Sequence, residues 1–209
     1  MNGFSSSLVV GLGNPGDRYE NTRHNAGFLV VDRLRDLLDG TAENAAWNGA
    51  VSRCRCGGQT VALLKPLTYM NRSGDAVSTA LETLDLSPAD LIVVVDCIDL
   101  PLGRLRLRPR GSSGGHRGVE SIIQTLGTRD FARLRVGVGR PDRETVVDFV
   151  LSEWLPDERP LVRRVVDTAC EAVQTALQEG TTEAMNRFNG VRLASTETDS
   201  EPKKEESTE

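Results

Sequence analysis

Short apolar runs alternate with amphipathic stretches over most of the chain. The run at residues 91–95, Leu-Ile-Val-Val-Val, is continuous, which is typical of a central strand buried on both faces. At 105–108, leucines alternate with arginines and predict a strand with one apolar and one basic face. Further strands are predicted at residues 8–10, 51–56, 60–65 and 133–139. A turn at Gly57-Gly58 joins the second and third of these as a hairpin.

Helical periodicity lies between these runs. It predicts helices at residues 25–38, from near Ser73 through Leu84, and around 119–126, 157–178 and 181–188. Residues 39–48 are predicted to be a loop, and 146–151 fits either a strand or a helical turn. Because helices and strands alternate, we expect an α/β fold: one three-layer α/β/α domain around a twisted mixed sheet.

The C-terminal residues differ in composition from the rest of the chain. No core-forming residue follows Leu193, and residues 195–209 hold six acidic residues against two lysines. Such a segment cannot bury enough apolar surface to offset the entropy of ordering it. We therefore predict one folded domain at 1–190 and an acidic disordered tail at 191–209.

Composition narrows the class of protein. The 209 residues are 38% hydrophobic and 26% charged, and no apolar run approaches the roughly 18 residues that indicate a membrane span. The first seven residues lack the basic and apolar regions of a signal peptide. Four cysteines in a chain of this length without an export signal do not indicate disulfides. With two histidines, neither beside a cysteine, we expect no metal site, and we expect a cytoplasmic location.

The charge is unevenly distributed. The chain has a net charge of −5, yet residues 103–143 contain ten arginines against three acidic residues, a local net of +7. A basic region in an acidic protein indicates local phosphate recognition. The alternative is a solvated strand face balanced by acidic residues elsewhere.

Residues 11–27, GLGNPGDRYENTRHNAG, directly follow the first predicted strand. Gly11, Gly13 and Gly16 match the dinucleotide-binding pattern G-x-G-x-x-G. In that fold, however, the helix opens within the glycine motif and holds pyrophosphate at its N-terminus. Here Pro15 and Gly16 interrupt the chain, the next periodic stretch begins only near Asn25, and the ribose-binding acid is missing. The glycines therefore predict a turn around Asn14, and no nucleotide cofactor is expected.

Polar residues without an evident structural need follow three predicted elements. They are Asn14 with His24, the segment 65–74, and the segment 96–103. A histidine beside a carboxylate at the end of a central strand can activate water, with Asp96 orienting His24. Asparagine amides could then hold the oxyanion. There is no G-x-S-x-G elbow for a serine nucleophile.

Each of these residues also has a purely structural interpretation. His24 could cap or pack the following helix, Asn14 could be a turn residue, and Asn71 could be a helix N-cap. Asp96 could simply end its strand, and His116 could help to start a helix. It is less economical to accept all of these structural interpretations together, because every one of these polar residues would then lie at the same edge of the sheet without a shared reason.

The motifs resemble those of bacterial-type peptidyl-tRNA hydrolases. GLGNPG, the following tyrosine and TRHN-x-G match the family's opening signature. LKPLTYMNRSG is similar to K-P-x-T-[FY]-M-N-x-S-G, and DCIDLPLG with GGHRG is similar to D-[DE]-L-D-L-P-x-G and GGHNG. RLRVGVGRP and the segment at 183–186 also match, so the resemblance runs in order from about residue 8 to residue 188.

The resemblance implies cleavage of the ester between a peptide and the 3′ end of tRNA, without a metal or cofactor. It implies that His24 is the general base and that Asp96 orients it. Substrate and tRNA contacts are implied at Asn14, Tyr19, Tyr69, Met70, Asn71, Arg108, His116, Arg117 and Arg135. Among these, Tyr19 and Met70 are expected to line the cleft, and Arg108 with Arg135 to clamp the 5′ phosphate of the acceptor arm. The expected partner is peptidyl-tRNA, bound by a monomer.

Two departures from the family pattern affect these expectations. Cys97 replaces a second acid at a peripheral position, and Arg117 replaces the asparagine of GGHNG. A guanidinium only donates hydrogen bonds, so we hypothesise that Arg117 contacts a 3′ phosphodiester. The alternative is a surface charge paired with Glu120, one helical step away. A non-catalytic RNA-binding relative on the same scaffold is the alternative function that this substitution favours.

Overall fold

The computed structural model describes residues 6–194. Within them, seven strands form one sheet in the order β2-β3-β4-β1-β5-β7-β6. The strands are β1 (Ser6–Gly11), β2 (Asn44–Ala46), β3 (Gly49–Cys56), β4 (Gln59–Pro66), β5 (Leu91–Cys97), β6 (Leu105–Arg108) and β7 (Ala132–Gly137). The predicted strands are confirmed, with ends that shift by up to two residues.

The sheet is mixed, as expected. β1 pairs in parallel with β4 and β5, and β5 pairs in parallel with β7. The outer pairs β2–β3, β3–β4 and β6–β7 are antiparallel. The carboxyl ends of β1, β4, β5 and β7 therefore meet at one edge, where open α/β sheets bind their ligands.

Helices cover both faces of the sheet. They are α1 (Ala26–Leu37), α2 (Ser73–Leu84), α3 (Arg117–Leu126), α4 (Val146–Val150), α5 (Arg159–Glu179) and α6 (Thr181–Phe188). One buried cluster joins the sheet to α1, α4, α5 and α6, and a second joins it to α2 and α3. The α/β class and the three-layer architecture are confirmed. None of these described helices is long and apolar enough to cross a membrane.

A close approach of two glycines fixes where α1 begins. A Cβ at Gly11 would lie 2.2 Å from the carbonyl oxygen of Gly27, and a Cβ at Gly27 would lie 2.4 Å from the backbone nitrogen of Leu12. Only glycine permits this contact between the end of β1 and the first turn of α1. The contact brings His24, just before α1, to the carboxyl edge of the sheet.

The structure corrects two expectations and decides one open alternative. Residues 39–48, predicted as a loop, contain the short strand β2 at the edge of the sheet. The ambiguous segment 146–151 is helical, as α4, and Thr145 caps it by accepting a hydrogen bond from the backbone of Asp148. The helix predicted around 119–126 begins two residues earlier, at Arg117, because the His116 side chain caps it.

The predicted boundary at residue 191 also differs from the structure. Leu193 donates a backbone hydrogen bond to Gly103 at 3.0 Å, and Arg192 forms a β-bridge with Arg104. Residues 191–194 thus pack beside β6 instead of leaving the domain. The remainder of the predicted tail, 195–209, lies outside the described residues.

Candidate active site

A cleft with a cavity volume of about 410 Å³ opens at the carboxyl edge of the sheet. Nine of the predicted substrate and catalytic residues line it: Asn14, His24, Tyr69, Met70, Asn71, Asp96, His116, Arg117 and Arg135. The strand ends of β1, β4 and β5 and the start of α3 supply these side chains. Residues scattered over 120 positions of the sequence are therefore brought to one place.

His24 and Asp96 form the pair that the sequence predicted. Nδ1 of His24 lies 2.9 Å from Oδ1 of Asp96. The carboxylate is almost fully buried at the end of β5, while 13% of the histidine side chain is exposed. Because Nδ1 donates a hydrogen bond to the carboxylate, Nδ1 carries the proton of the neutral ring and the lone pair lies on Nε2. Nε2 has no hydrogen-bond partner among residues 6–194 and is free to accept a proton.

His116 binds the same carboxylate oxygen, and its ring centroid lies 5.0 Å from that of His24. Its Nε2 lies 2.9 Å from Oδ1 of Asp96, and its Nδ1 accepts hydrogen bonds from the backbone of Gly118 and Val119 at 3.2 and 3.3 Å. An Nδ1 that accepts leaves the proton on Nε2. His116 is therefore both the N-cap of α3 and a second donor to Asp96, a contact that no sequence pattern indicated.

Asp96 stays ionised in this setting. Burial on its own raises the pKa of a carboxyl group, but the two histidines that face Asp96 hold its pKa well below the usual range. Hydrogen bonds from both rings favour the charged form. The buried carboxylate thus fixes the orientation and the tautomer of both rings.

The same three residues offer a metal-type donor set. Their ligand atoms lie within 4.8 Å of one another, and His, His and Asp are common ligands of transition metals. In the hydrogen bonds just described, however, both ring nitrogens that face Asp96 carry protons. Metal binding by these atoms would require those protons to leave and the cap of α3 to change.

Asn14 is held so that its amide N–H groups remain available. Its backbone exchanges two hydrogen bonds with the Asn25 side chain, at 2.8 and 3.0 Å. Its Oδ1 accepts the backbone N–H of Met70 at 3.1 Å. Within the described part of the chain Nδ2 has no partner, and it therefore points two free donors into the cleft that Asn14 lines.

The segment after β4 forms the neighbouring wall. Met70 is 5% exposed and packs under Gly118, where a Cβ would lie 2.5 Å from its Sδ. Asn71 is exposed, and its amide makes no hydrogen bond to any described residue. Tyr69 is 65% exposed at the rim. Asn71 is not the N-cap of α2, since Arg72 occupies that position without a side-chain cap.

Tyr19 does not lie where the resemblance implied. It is absent from the cleft lining and sits in the 3₁₀ turn Asp17–Tyr19. The Arg18 guanidinium covers its ring, 4.4 Å from the centroid, and also donates to its hydroxyl group. The expectation that Tyr19 lines the cleft is therefore corrected, because this local pairing holds the ring in the turn.

The arginines of the basic region differ in whether their guanidinium groups make hydrogen bonds to described residues, and Arg133 and Arg135 do. Arg133 is buried, and it donates to the carbonyl groups of Gly111, Arg129 and Phe131. Burial and the neighbouring Arg135 lower its pKa to about 10. Arg135 donates to Ser112 O at 2.9 Å and to Ser113 O at 3.3 Å. Both side chains thereby organise the loop that leads to His116.

Unlike Arg133 and Arg135, the exposed residues Arg108 and Arg117 do not use their guanidinium groups to hold the loop. Arg108 is exposed at the end of β6 and does not line the cleft. Arg117, the first residue of α3, is exposed and lines it. Neither guanidinium has a hydrogen bond or ion pair within residues 6–194, and the alternative pairing of Arg117 with Glu120 does not occur there.

Arg23 is a residue whose contribution the sequence did not indicate. It is 4% exposed and donates to Ser152 at 2.9 Å and to Glu158 at 2.6 Å. Its guanidinium also stacks on Phe149 and Trp154. These contacts hold α4 and the segment that follows it next to Arg23, the neighbour of His24 in the chain. The opposite side of that region gives the cleft an apolar wall of Val146, Val147, Val150 and Leu151.

The fold and the site together define an α/β protein with a histidine–carboxylate centre suited to activating water. A sequence profile of the family described as peptidyl-tRNA hydrolase matches residues 8–198. The chain belongs to the peptidyl-tRNA hydrolase family.

Individual relatives agree with this assignment. The chain is 50% identical over 183 residues to the peptidyl-tRNA hydrolase of Aquifex aeolicus, covering 87% of this chain and 95% of the relative. It is 49% identical to that of a Synechococcus strain, over 94% and 88% of the two chains. The crystal structure of peptidyl-tRNA hydrolase from Acinetobacter baumannii has a TM-score of 0.84 at 37% identity, covering 90% and 97%.

Proposed function

We propose that this chain hydrolyses the ester bond that joins a peptide or N-blocked aminoacyl group to the 3′ end of tRNA. One observation carries the proposal: His24 is anchored to Asp96 through Nδ1 while its Nε2 is free beside the cleft. Family membership supplies the substrate class. A module that only binds RNA has no need of this pair, which disfavours the non-catalytic alternative.

In the proposed first step, Nε2 of His24 takes a proton from water as the water oxygen attacks the ester carbonyl carbon. The positive charge that forms on the ring is stabilised by the ionised Asp96 at 2.9 Å. The oxyanion accepts hydrogen bonds from the free Nδ2 donors of Asn14, and the Asn71 amide lies on the same cleft.

In the second step the carbon–oxygen bond to the terminal ribose breaks. The leaving ribose oxygen takes the proton from Nε2 of His24, and His24 returns to its neutral form. The products are the peptide acid and tRNA with a free terminal hydroxyl group. All proton transfers use one ring nitrogen, and the cycle is proposed to need no metal or cofactor.

The two ends of the acceptor arm are proposed to contact different residues. Tyr69, Met70 and the apolar wall at α4 would hold the peptide beside the ester, and His116 would act through Asp96. Arg108, exposed and unpaired among the described residues, is suited to the 5′ phosphate. Arg135 would shape the loop and face the substrate from the cleft wall. We propose that the enzyme acts as a monomer in the cytoplasm.

Incubation with an N-acetyl-aminoacyl-tRNA tests the proposal directly. We expect release of free tRNA and of the N-acetyl amino acid, unchanged by a metal chelator. Intact substrate after prolonged incubation with folded protein would contradict the function.

His24→Ala tests the assigned base. Turnover should fall by on the order of 10²–10⁴, the usual contribution of a general base, while the affinity for uncharged tRNA changes little. Turnover of His24→Ala within a few-fold of the wild type would refute the assignment.

A further inference from the structure

Arg117 lies where two cavities meet. Beside the catalytic cleft is a second cavity of about 370 Å³. Asn71, Gly115 and Arg117 line both cavities. The other residues that line the second cavity, Ser113, Glu120, Ser121 and Gln124, all have side chains that can form hydrogen bonds.

The guanidinium of Arg117 has no evident structural use. It is exposed and makes no hydrogen bond or ion pair to any residue between 6 and 194. As the first residue of α3 it places a positive charge at the positive end of the helix dipole, which opposes helix stability. The cap that this helix requires already comes from His116. An anion beside Arg117 would remove the conflict.

We propose that Arg117 binds the phosphodiester group directly 5′ to the terminal nucleotide of the substrate, and that the second cavity receives the penultimate nucleoside. This inference rests on the proposed function, which places the reacting ester at His24. The terminal ribose carries that ester on one side and the phosphodiester on its 5′ oxygen. The nucleotide chain must therefore leave the catalytic cleft within one sugar of the ester.

The geometry favours Arg117 over other arginines for this contact. Arg135 also lines the catalytic cleft, but its guanidinium donates to two loop carbonyl groups. Arg117 has its whole donor fork free, and such a fork can bind two phosphate oxygens at once. The Glu120 carboxylate, the Gln124 amide and the Ser113 hydroxyl in the second cavity suit ribose hydroxyl groups and base edges.

Two short substrates isolate the contact. One is an N-acetyl-aminoacyl ester of adenosine, which has no phosphate. The other is the same ester of cytidylyl-3′,5′-adenosine, which has a single phosphodiester and no 5′ phosphate. We expect Arg117→Ala to raise KM about tenfold for the dinucleotide ester and to leave the adenosine ester unchanged. The dependence of log KM on log salt should lose a slope of roughly 0.7.

Two variants serve as controls. Arg117→Lys keeps the charge without the fork, and it should retain the salt dependence and part of the affinity. Arg72→Ala removes an exposed arginine that pairs with Asp75 and lines neither cavity. It should leave both short substrates unaffected. The melting temperature of Arg117→Ala should equal or slightly exceed that of the wild type.

An equal rise in KM for both short substrates in Arg117→Ala would overturn the proposal, because Arg117 would then act on the ester or on the fold. Unchanged kinetics on both would also overturn it and make Arg117 a surface charge.

If wild-type protein cleaves none of these substrates nor N-acetyl-aminoacyl-tRNA, the proposed function fails. The phosphate contact is then judged by calorimetric titration with cytidylyl-3′,5′-adenosine and with adenosine. A preference for the dinucleotide that Arg117→Ala abolishes supports the contact, and an equal affinity of wild type for both ligands refutes it.

Discussion

The proposed catalytic centre and the exposed arginines Arg108 and Arg117 use polar side chains in opposite ways. At the centre, His24, His116 and Asp96 hold one another through two 2.9 Å hydrogen bonds, and Asn14 is fixed at its backbone and at Oδ1. Nε2 of His24 and Nδ2 of Asn14 have no partner among the described residues, and these are the atoms that the proposed mechanism uses. At the surface, the guanidinium groups of Arg108 and Arg117 make no hydrogen bond or ion pair to residues 6–194.

The difference follows from what each region has to stabilise. Charge that develops on a ring nitrogen and an oxyanion is stabilised best by dipoles already in place, because reorganising them during the reaction costs free energy. Phosphate binding draws mainly on charge and counterion release, which tolerate a flexible side chain. Arg135 lies between these cases, since it lines the cleft while it holds the loop before His116.

The largest effect is expected from Asp96→Asn, which disturbs the fixed centre. An amide can present N–H to His24 and stabilise the wrong tautomer, so kcat should fall by on the order of 10²–10⁴. The matched control is Asp99→Asn, which changes a carboxylate on the same cleft that is 48% exposed and pairs with Arg140. Steady-state rates of the control should stay within a few-fold of the wild type. Comparable losses in both variants would mean that any nearby carboxylate suffices.

His116→Ala should have the next largest effect. It removes one of the two hydrogen bonds that orient the Asp96 carboxylate. Because His24 is then held less firmly in its reactive orientation, kcat should fall by about tenfold. It also removes the cap of α3, at a cost of about 1 kcal/mol and a few degrees in Tm.

His116→Asn separates these two roles of His116. Asparagine restores the cap and hence the part of Tm that the cap supplies. It is too short to replace the ring at Asp96, so kcat should stay low. Recovery of kcat together with Tm would show that His116 acts only through helix stability.

The pattern of apolar and polar residues predicted most of the fold but only part of the site. Continuous apolar runs, as in β5, needed no tertiary information. The Asn-Ala-Ala segment of β2 has no periodicity, and only its pairing with β3 makes it a strand. The His24–Asp96 pair was predictable because both residues follow strands whose carboxyl ends share an edge.

Contacts that depend on loop conformation were not predictable. His116 reaches Asp96 through Gly114 and Gly115, whose φ values are 62° and 81°. Arg135 binds carbonyl groups of the same loop from a strand far along the chain. Tyr19 is removed from the cleft by its neighbour Arg18. None of these contacts leaves a spacing or periodicity in the sequence.

A third prediction concerns acid stability and again tests the fixed centre. The pKa of Asp96 is lower in the folded protein than its usual value, which in an unfolded chain is about 3.9. Its ionised form therefore stabilises the fold at pH values above the unfolded pKa, and this stability is lost as the pH falls through the folded pKa. Between about pH 5 and pH 2, the free energy of unfolding should fall less steeply in Asp96→Asn than in the wild type. Identical slopes in denaturant titrations would show that other carboxylates dominate.

The smallest effects, and the sharpest test of the comparison, come from Arg108→Ala and Arg135→Ala. Arg108→Ala should leave Tm unchanged, because its exposed guanidinium makes no hydrogen bond or ion pair to a described residue. It should reduce the slope of log K for tRNA against log salt by roughly 0.7–0.9, the value for one lost phosphate contact. It should not alter cleavage of a short ester that lacks the 5′ phosphate. Arg135→Ala should lower Tm and slow both kinds of substrate, because Ser112 and Ser113 lose their donor and the loop before His116 loosens. If Arg108→Ala and Arg135→Ala cleave the short ester at equal rates, the proposed difference between the residues that support the centre and the exposed arginines does not hold.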